Sequence, residues 1–186
     1  ITWEYLSNSN FILKYFALVI KKLAKRCLKK SLFILVTNKY EKEIISKIVN
    51  KEVIVIPNGI SKNKFDILRK ENFQMSIGKE KTITYFGNFG KAQKINTLIE
   101  AVIDNKNYNV HLIGGGNMET EIKDFIKRKN IKNVNISMLM PWTEMITYYN
   151  TTDILFLQIG KEFKSAVPSK IFEYVSTGKI VIAGVP

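Results

Sequence analysis

Ala166-Val-Pro-Ser-Lys-Ile-Phe-Glu-Tyr-Val-Ser-Thr-Gly178 stands between two apolar runs, Ile154-Leu-Phe-Leu-Gln-Ile159 and Lys179-Ile-Val-Ile-Ala183. Both runs have the length and composition of strands, and the segment joining them reads as a loop followed by a helix. Pro168 suits a first helical turn and Ser169 is a candidate cap. Ile171, Phe172 and Val175 recur at the spacing of a buried helical face, and Thr177-Gly178 reads as the stop. Strand, loop, helix, strand is the repeating unit of a parallel α/β sheet, where ligands sit beyond the carboxyl ends of the strands. Unpaired N–H groups and the helix dipole favour an anion at such a place. Lys170 adds a full positive charge there, and Glu173, three residues on, offers a carboxylate to hydroxyl groups. Phosphate and ribose of a nucleotide fit that pair. A capped core helix with a solvated lysine and glutamate explains the same residues, and spacing alone does not separate the two readings.

Upstream, the same alternation recurs. Thr82-Ile-Thr-Tyr-Phe86 is a strand, followed by Gly87-Asn-Phe-Gly90 and a helix through Leu98, Ile99, Ala101 and Val102. The glycines allow backbone to approach a ligand, and Lys91 and Lys94 offer charge to phosphate, although a tight turn explains the glycines equally well. The Gly-Lys-Ser/Thr ending of a P-loop is missing. Val110-His-Leu-Ile113 leads into Gly114-Gly-Gly116 and a helix from about Met118 to Lys129, without the full spacing of a dinucleotide fingerprint. Val134-Asn-Ile-Ser-Met-Leu139 is the next strand. Pro141-Trp142 turns the chain, and Thr143 with Glu144 opens a helix carrying Met145, Ile146, Tyr148 and Tyr149. Trp142 is placed either to stack on a base or to pack locally.

The N-terminal third has a different character. Between Asn10 and Lys30 an apolar helical face is expected from Phe11, Ile12, Tyr15, Phe16, Val19, Ile20, Leu23, Ala24 and Cys27, with Lys14, Lys21, Lys22, Lys25, Arg26 and Lys29 opposite. A basic amphipathic helix of this kind lies on an anionic membrane surface, or packs in a domain with its lysines reaching into water. Charge interrupts it too often for a bilayer span. Ser31–Val36 and Glu52–Ile56 read as strands around a helix from Asn38 to about Val49 capped by Thr37. Pro57-Asn-Gly59 breaks the pattern, and Ser61 to Lys81 is polar and weakly periodic, as a surface connection would be. The expected organisation is residues 1–60 as the end of one domain, 61–80 as a connection and 81–186 as a second domain.

Lys and Arg number 29 against 16 Asp and Glu, a net charge of +13. Nucleic acid, anionic lipid and phosphorylated ligands are all compatible with such a charge. Arginine occurs only at Arg26, Arg69 and Arg128, whereas base-reading surfaces lean on it, so nucleic acid is not expected as a partner. The lone Cys27 excludes an intrachain disulfide and fits a small apolar helix residue. The lone His111 fits a packed strand. One Cys and one His make no transition-metal cluster. No signal peptide is visible, the chain does not start with Met, and it reads as a fragment that opens inside a helix and stops after a strand.

Several of these segments, in order, resemble the family-4 glycosyltransferases. Val55-Ile-Pro-Asn-Gly59 with Phe65 resembles their interdomain segment. Gly87-Asn-Phe-Gly-Lys-Ala-Gln93 and Leu112-Ile-Gly-Gly-Gly116 are similar to the first two strand-to-loop turns of their C-terminal domain, and Tyr148–Asp153 to the helix before the motif strand. Val167–Lys179 is most similar to a subgroup acting in cell-surface polysaccharide synthesis, including transferases of N-acetylated deoxy-sugars. The resemblance covers roughly residues 30 to 186. It implies the GT-B fold, two Rossmann-like domains, of which this chain would hold a nearly complete donor domain and a remnant of the acceptor-side one. It implies a nucleotide-diphosphate sugar as donor and no metal or further cofactor.

Carried onto this chain, the resemblance places Lys170 and the amides near Ser169 on the diphosphate and Glu173 on the ribose. Gly87, Asn88, Lys91, Lys94 and Gly114 would face phosphates or acceptor, and backbone near Met140 the base. The wider family carries two glutamates; Glu173 matches the second and Ser165 stands at the first. Asn88 replaces the family's arginine, and Gln93-Lys94 its Lys-Gly pair. The first glutamate's sugar contact and the anomeric outcome therefore stay open, as does the general base. The expected activity is transfer of a sugar, UDP-linked, to a lipid-linked or polysaccharide acceptor at the cytoplasmic membrane face. A sugar-nucleotide epimerase of the same fold and a non-catalytic basic module binding membrane or nucleic acid are the alternatives.

Overall fold

The computed structural model describes residues 11–71, 73, 78 and 80–186. The chain forms two compact units. One runs to Gly59 and includes Glu162–Val167; the other comprises Ile60–Lys161 and Pro168–Pro186.

The first unit contains helix α1 (Phe11–Lys30), strand β1 (Leu35–Val36), helix α2 (Lys39–Ser46) and strand β2 (Ile54–Val55). β1 and β2 pair in parallel, Leu35 with Ile54 and Val36 with Val55. Ile34, Ile45, Val49 and Val53 form its buried core. The cap of α2 is Asn38 rather than Thr37. The Asn38 side chain accepts from the Glu41 N–H at 2.9 Å, while the Thr37 N–H and hydroxyl both donate to Glu41 Oε2 at 3.0 and 2.9 Å. This reciprocal arrangement satisfies donors that the first helical turn leaves unpaired. Asn38 Nδ2 also donates to the Ser165 carbonyl at 2.9 Å, tying the Glu162–Val167 segment into this unit.

α1 corrects the expected face. Its inward stripe is Leu13, Ala17, Ile20, Ala24 and Leu28, whereas Phe11, Ile12, Tyr15, Phe16, Val19 and Leu23 are exposed, as is Cys27. The first half of the helix is apolar around most of its circumference, so periodicity cannot say which arc is turned inward. The alanines Ala17 and Ala24 mark the observed one.

The second unit carries α3 (Lys62–Lys70), β3 (Lys81–Asn88), a 3-10 turn (Lys91–Gln93), α4 (Ile95–Val102), β4 (Tyr108–Gly115), α5 (Glu119–Arg128), β5 (Val134–Ser137), α6 (Trp142–Thr151), β6 (Ile154–Gln158), α7 (Lys170–Ser176) and β7 (Ile180–Gly184). Its five strands are parallel in the order β5-β4-β3-β6-β7. Strand residues alternate between faces, as the pleat requires. Ile83, Tyr85, Val110 and Leu112 pack with Ile95, Leu98, Ile99 and Val102 of α4 and Ile122 of α5. Phe86, Ile113, Leu155 and Leu157 pack with Leu68 of α3, Met145 and Tyr149 of α6, and Tyr174 of α7. This is the parallel α/β architecture expected from the alternating runs.

α3 lies where a surface connection is expected. Ser61 caps it, accepting from the Lys64 N–H at 3.4 Å, and Leu68 is wholly buried. One buried side chain in two turns leaves too little periodicity to read. At the other end of the unit, α7 buries Tyr174 and leaves Val175 exposed, which corrects the face assigned from Ile171, Phe172 and Val175. Gly178, at φ 72°, takes the left-handed conformation that ends the helix.

Candidate functional site

The sheet splits where the chain reverses its winding. β3 pairs with β4 along its whole length, to Asn88 opposite Gly115, but with β6 only at Ile83–Ile154 and Thr84–Leu155. Beyond Thr84 the two strands separate at their carboxyl ends, the switch point at which open α/β sheets bind ligands. The backbone N–H of Phe86 is taken instead by the Tyr174 hydroxyl, at 3.0 Å. α7 is thereby fixed to the end of β3, one residue before Gly87. Burial raises the Tyr174 hydroxyl well above its ordinary pKa, so it is a neutral donor and acceptor at physiological pH.

One residue before Tyr174, Glu173 is held by three groups from three helices. Lys170 Nζ of α7 donates to Oε2 at 2.9 Å, and the Tyr149 hydroxyl of α6 donates to the same oxygen at 3.3 Å. Lys64 Nζ of α3 lies 3.7 Å from Oε1. The Tyr149 hydroxyl is pushed up by burial first and by the Glu173 charge second, so it stays protonated as a donor. Lys64 also sits 4.8 Å from the Trp142 ring centroid, in cation–π range. The Trp142 Nε1 is buried without a hydrogen-bond partner. Two ammonium groups on one carboxylate leave an excess positive charge at this place, and the carboxylate is fixed in orientation. Such a cluster can attract an anion and accept from a hydroxyl at once.

The expected glycine turns lie against each other. The Phe89 N–H donates to the Gly115 carbonyl at 2.8 Å, and the Met118 N–H donates to the Phe89 carbonyl at 2.9 Å. A Cβ on Gly114 (φ 154°) would overlap the Gly87 carbonyl oxygen, and one on Gly116 (φ 157°) would lie 2.6 Å from that of Phe89. Backbone packing between two loops therefore accounts for these glycines without any ligand. Gly87 and Asn88 are the last residues of β3, and the Asn88 carbonyl accepts from the Tyr85 hydroxyl at 2.8 Å.

The remaining expected residues divide. Lys91 is exposed on the 3-10 turn, which is anchored by the Gly160 N–H donating to the Ala92 carbonyl at 2.7 Å. Lys94 follows in a left-handed conformation, φ 47°. The Gln93 Oε1 and Asn96 Oδ1 acceptors beside them are buried and unpartnered. Met140 is half-buried against the cluster containing Phe86 and Tyr174, with Met138 and Leu139 exposed before it. Ser169 occupies the expected cap position but makes no capping hydrogen bond, because its backbone is already helical (φ −62°, ψ −25°).

Phe86 and Gly87 thus link the glycine turns, Met140 and the Lys170–Glu173 pair. Lys64 and Tyr149 are the site residues that sequence reasoning did not assign, and Trp142 is one it left open between stacking on a base and packing locally. Tyr149 and Trp142 lie on a helix already read; Lys64 carries no local signal. Among the described residues, no three His, Cys, Asp or Glu side chains gather as a metal-ion site would need.

A family model described as "Glycosyl transferases group 1" matches residues 67–185. No curated protein matches the sequence significantly. Many solved structures share the fold. A lipopolysaccharide outer core galactosyltransferase, WaaB, in its apo form, aligns at 17% identity and a TM-score of 0.62, over 86% of this chain and 45% of that one. A sucrose-phosphate synthase from Thermosynechococcus elongatus aligns at 18% and 0.69, over 89% and 43%. Anabaena HepE in complex with UDP and glucose aligns at 14% and 0.67, over 89% and 48%. The chain spans less than half the length of each of these structures.

Proposed function

The chain belongs to the group 1 glycosyl transferases and has their GT-B type of α/β fold, and from that premise we propose that its second unit binds the nucleotide-diphosphate sugar of a sugar-transfer reaction. The observation that carries the reading is the Glu173 carboxylate, held by Lys170, Lys64 and Tyr149 at the switch point of the sheet. In this reading Lys170 turns from Glu173 to the diphosphate, and Glu173, still held by Lys64 and Tyr149, accepts from the ribose hydroxyls. Negative charge grows on the leaving diphosphate as the glycosidic bond breaks, so a cation already in place lowers the barrier. Gly87, Asn88, Lys91 and Lys94 line the phosphate or acceptor side, Gly114 shapes that turn, and backbone at Met140 meets the base. Uridine is the proposed base, supported by a fold relative that holds UDP and glucose. A lipid-linked or polysaccharide acceptor at the cytoplasmic membrane face is the proposed second substrate, with no metal or further cofactor.

Calorimetric titration with UDP, with GDP and ADP as controls, at two salt concentrations tests this. Saturable, UDP-selective binding is expected. Lys170→Ala and Glu173→Ala should each weaken it roughly 10- to 100-fold, the worth of a hydrogen bond to a charged group. Equal binding of all three nucleotides that fades with salt, or UDP affinity unchanged in Lys170→Ala, overturns the assignment.

A further inference from the structure

The two lysines on Glu173 hold it differently. Lys170, three residues away on the same helix, donates to Oε2 at 2.9 Å, and the Tyr149 hydroxyl shares that oxygen. Lys64 faces the other oxygen, Oε1, from 3.7 Å, inside ion-pair range but beyond a hydrogen bond. It is drawn at the same time to the Trp142 ring, whose centroid lies 4.8 Å from Nζ. The Glu173 side chain is only 16% exposed, against 26% for Lys170 and 37% for Lys64. A carboxylate so far withdrawn from water needs a cation beside it. Tyr149 stays protonated and neutral, so it supplies a hydrogen bond but no charge. If Lys170 turns to a diphosphate, Glu173 loses its hydrogen-bonded cation just as further negative charge arrives. Lys64 is placed to make good that loss: a shift of about 1 Å brings its Nζ from 3.7 Å to hydrogen-bond distance of Oε1.

We propose that Lys64 is a positioning residue for donor binding, a reserve cation that takes over Glu173 when Lys170 turns to the diphosphate. The inference rests on the donor-site reading and adds to it a residue that acts on the phosphates without touching them. Without Lys64, Glu173 keeps Lys170 as its counter-charge, and the diphosphate is left without that lysine. The effect therefore passes through the Glu173 charge. A direct contact of Lys64 with the nucleotide is the competing arrangement, and it would not depend on that charge.

The test is a double-mutant cycle on the intact protein, read by calorimetric titration with UDP. Lys64→Met keeps an unbranched apolar stem beside the Trp142 ring and removes only the cation. It should weaken UDP binding about tenfold, the lower end of the worth of a hydrogen bond to a charged group, since Lys64 is partly exposed to solvent. Lys64→Arg should restore most of the affinity, because a guanidinium both stacks on an aromatic ring and bonds a carboxylate. In a Glu173→Gln background there is no charge left to compensate, and Lys64→Met should change UDP affinity by less than about twofold. A tenfold loss that persists in the Glu173→Gln background overturns the proposal, because direct contact with the nucleotide and a merely structural role would each act in both backgrounds. UDP affinity unchanged by Lys64→Met, or a loss that Lys64→Arg does not restore, overturns it as well. Each of those results leaves the donor site standing. Failure of the native protein to bind UDP removes the donor-site reading and this inference with it, so the two failures are distinct.

Discussion

A methyl group on Gly114 would overlap the carbonyl oxygen of Gly87, with backbone on both sides of the clash and no flexible side chain to yield. Gly114→Ala should therefore destabilise the domain by about 3 kcal/mol or more, at or above the upper end of ordinary overpacking, as read by urea denaturation. If the glycine instead serves only to admit a ligand, stability will be unchanged and only nucleotide affinity will fall. This residue shows what single positions disclose in a sequence. That glycines stand between strand and helix is plain in Gly87–Gly90 and Gly114–Gly116; that two such turns interlock depends on β3 and β4 lying side by side, which no local pattern encodes. That Lys170 and Glu173 stand together was legible because both sit in one short motif. Lys64 was not, because its partners Glu173 and Trp142 arrive from elsewhere in the chain.

α7 shows the same division among elements. Its existence and approximate ends follow from Pro168 and Gly178, but the buried face does not, because Tyr174 looks amphipathic to a hydrophobicity count. It is buried for a polar reason, its hydroxyl standing in for the partner that Phe86 lacks on the β6 side. Tyr174→Phe should leave that N–H buried and unpaired, at a cost of about 1–3 kcal/mol. It should also loosen α7, and hence Glu173, against β3. Thermal denaturation measures the first effect, and UDP titration should show weaker binding as the second. A stability unchanged by the loss of the hydroxyl contradicts the role given to it. α1 fails in a complementary way: its existence was legible from end to end, yet its inward arc could not be found among so many apolar residues. The strands of the first unit are shorter than their apolar runs, since only Leu35–Val36 and Ile54–Val55 find ladder partners.

For the molecule as a whole, the alternation of strands and helices reveals a parallel sheet, while strand order is a tertiary fact. One titratable group reports on the integrity of the second unit. His111 stands on β4 with its ring edge-on to Tyr148 and its Nδ1 buried without a partner, and burial lowers its pKa. The unfolded chain, with an ordinary histidine near pKa 6.5, takes up the proton first as pH falls. Stability should hence drop below about pH 6.5 and be insensitive to this group above it. His111→Gln should flatten that part of the profile relative to the native protein in urea titrations at pH 7.5 and 5.5; parallel profiles exclude the effect. The strand order has one more consequence, in the time domain. β3, β4 and β5 are neighbours in sequence and in space and can zip together early. The seam between β3 and β6 joins Thr82 to Asp153 across 71 residues of chain. Long loops close late, because their entropy is lost before their contacts are gained. The crevice at which Glu173 is held is thus the last seam of the sheet to be sewn, and a nucleotide seated there is a clasp on the slowest stitch, retarding the chain's departure from the native state more than its arrival.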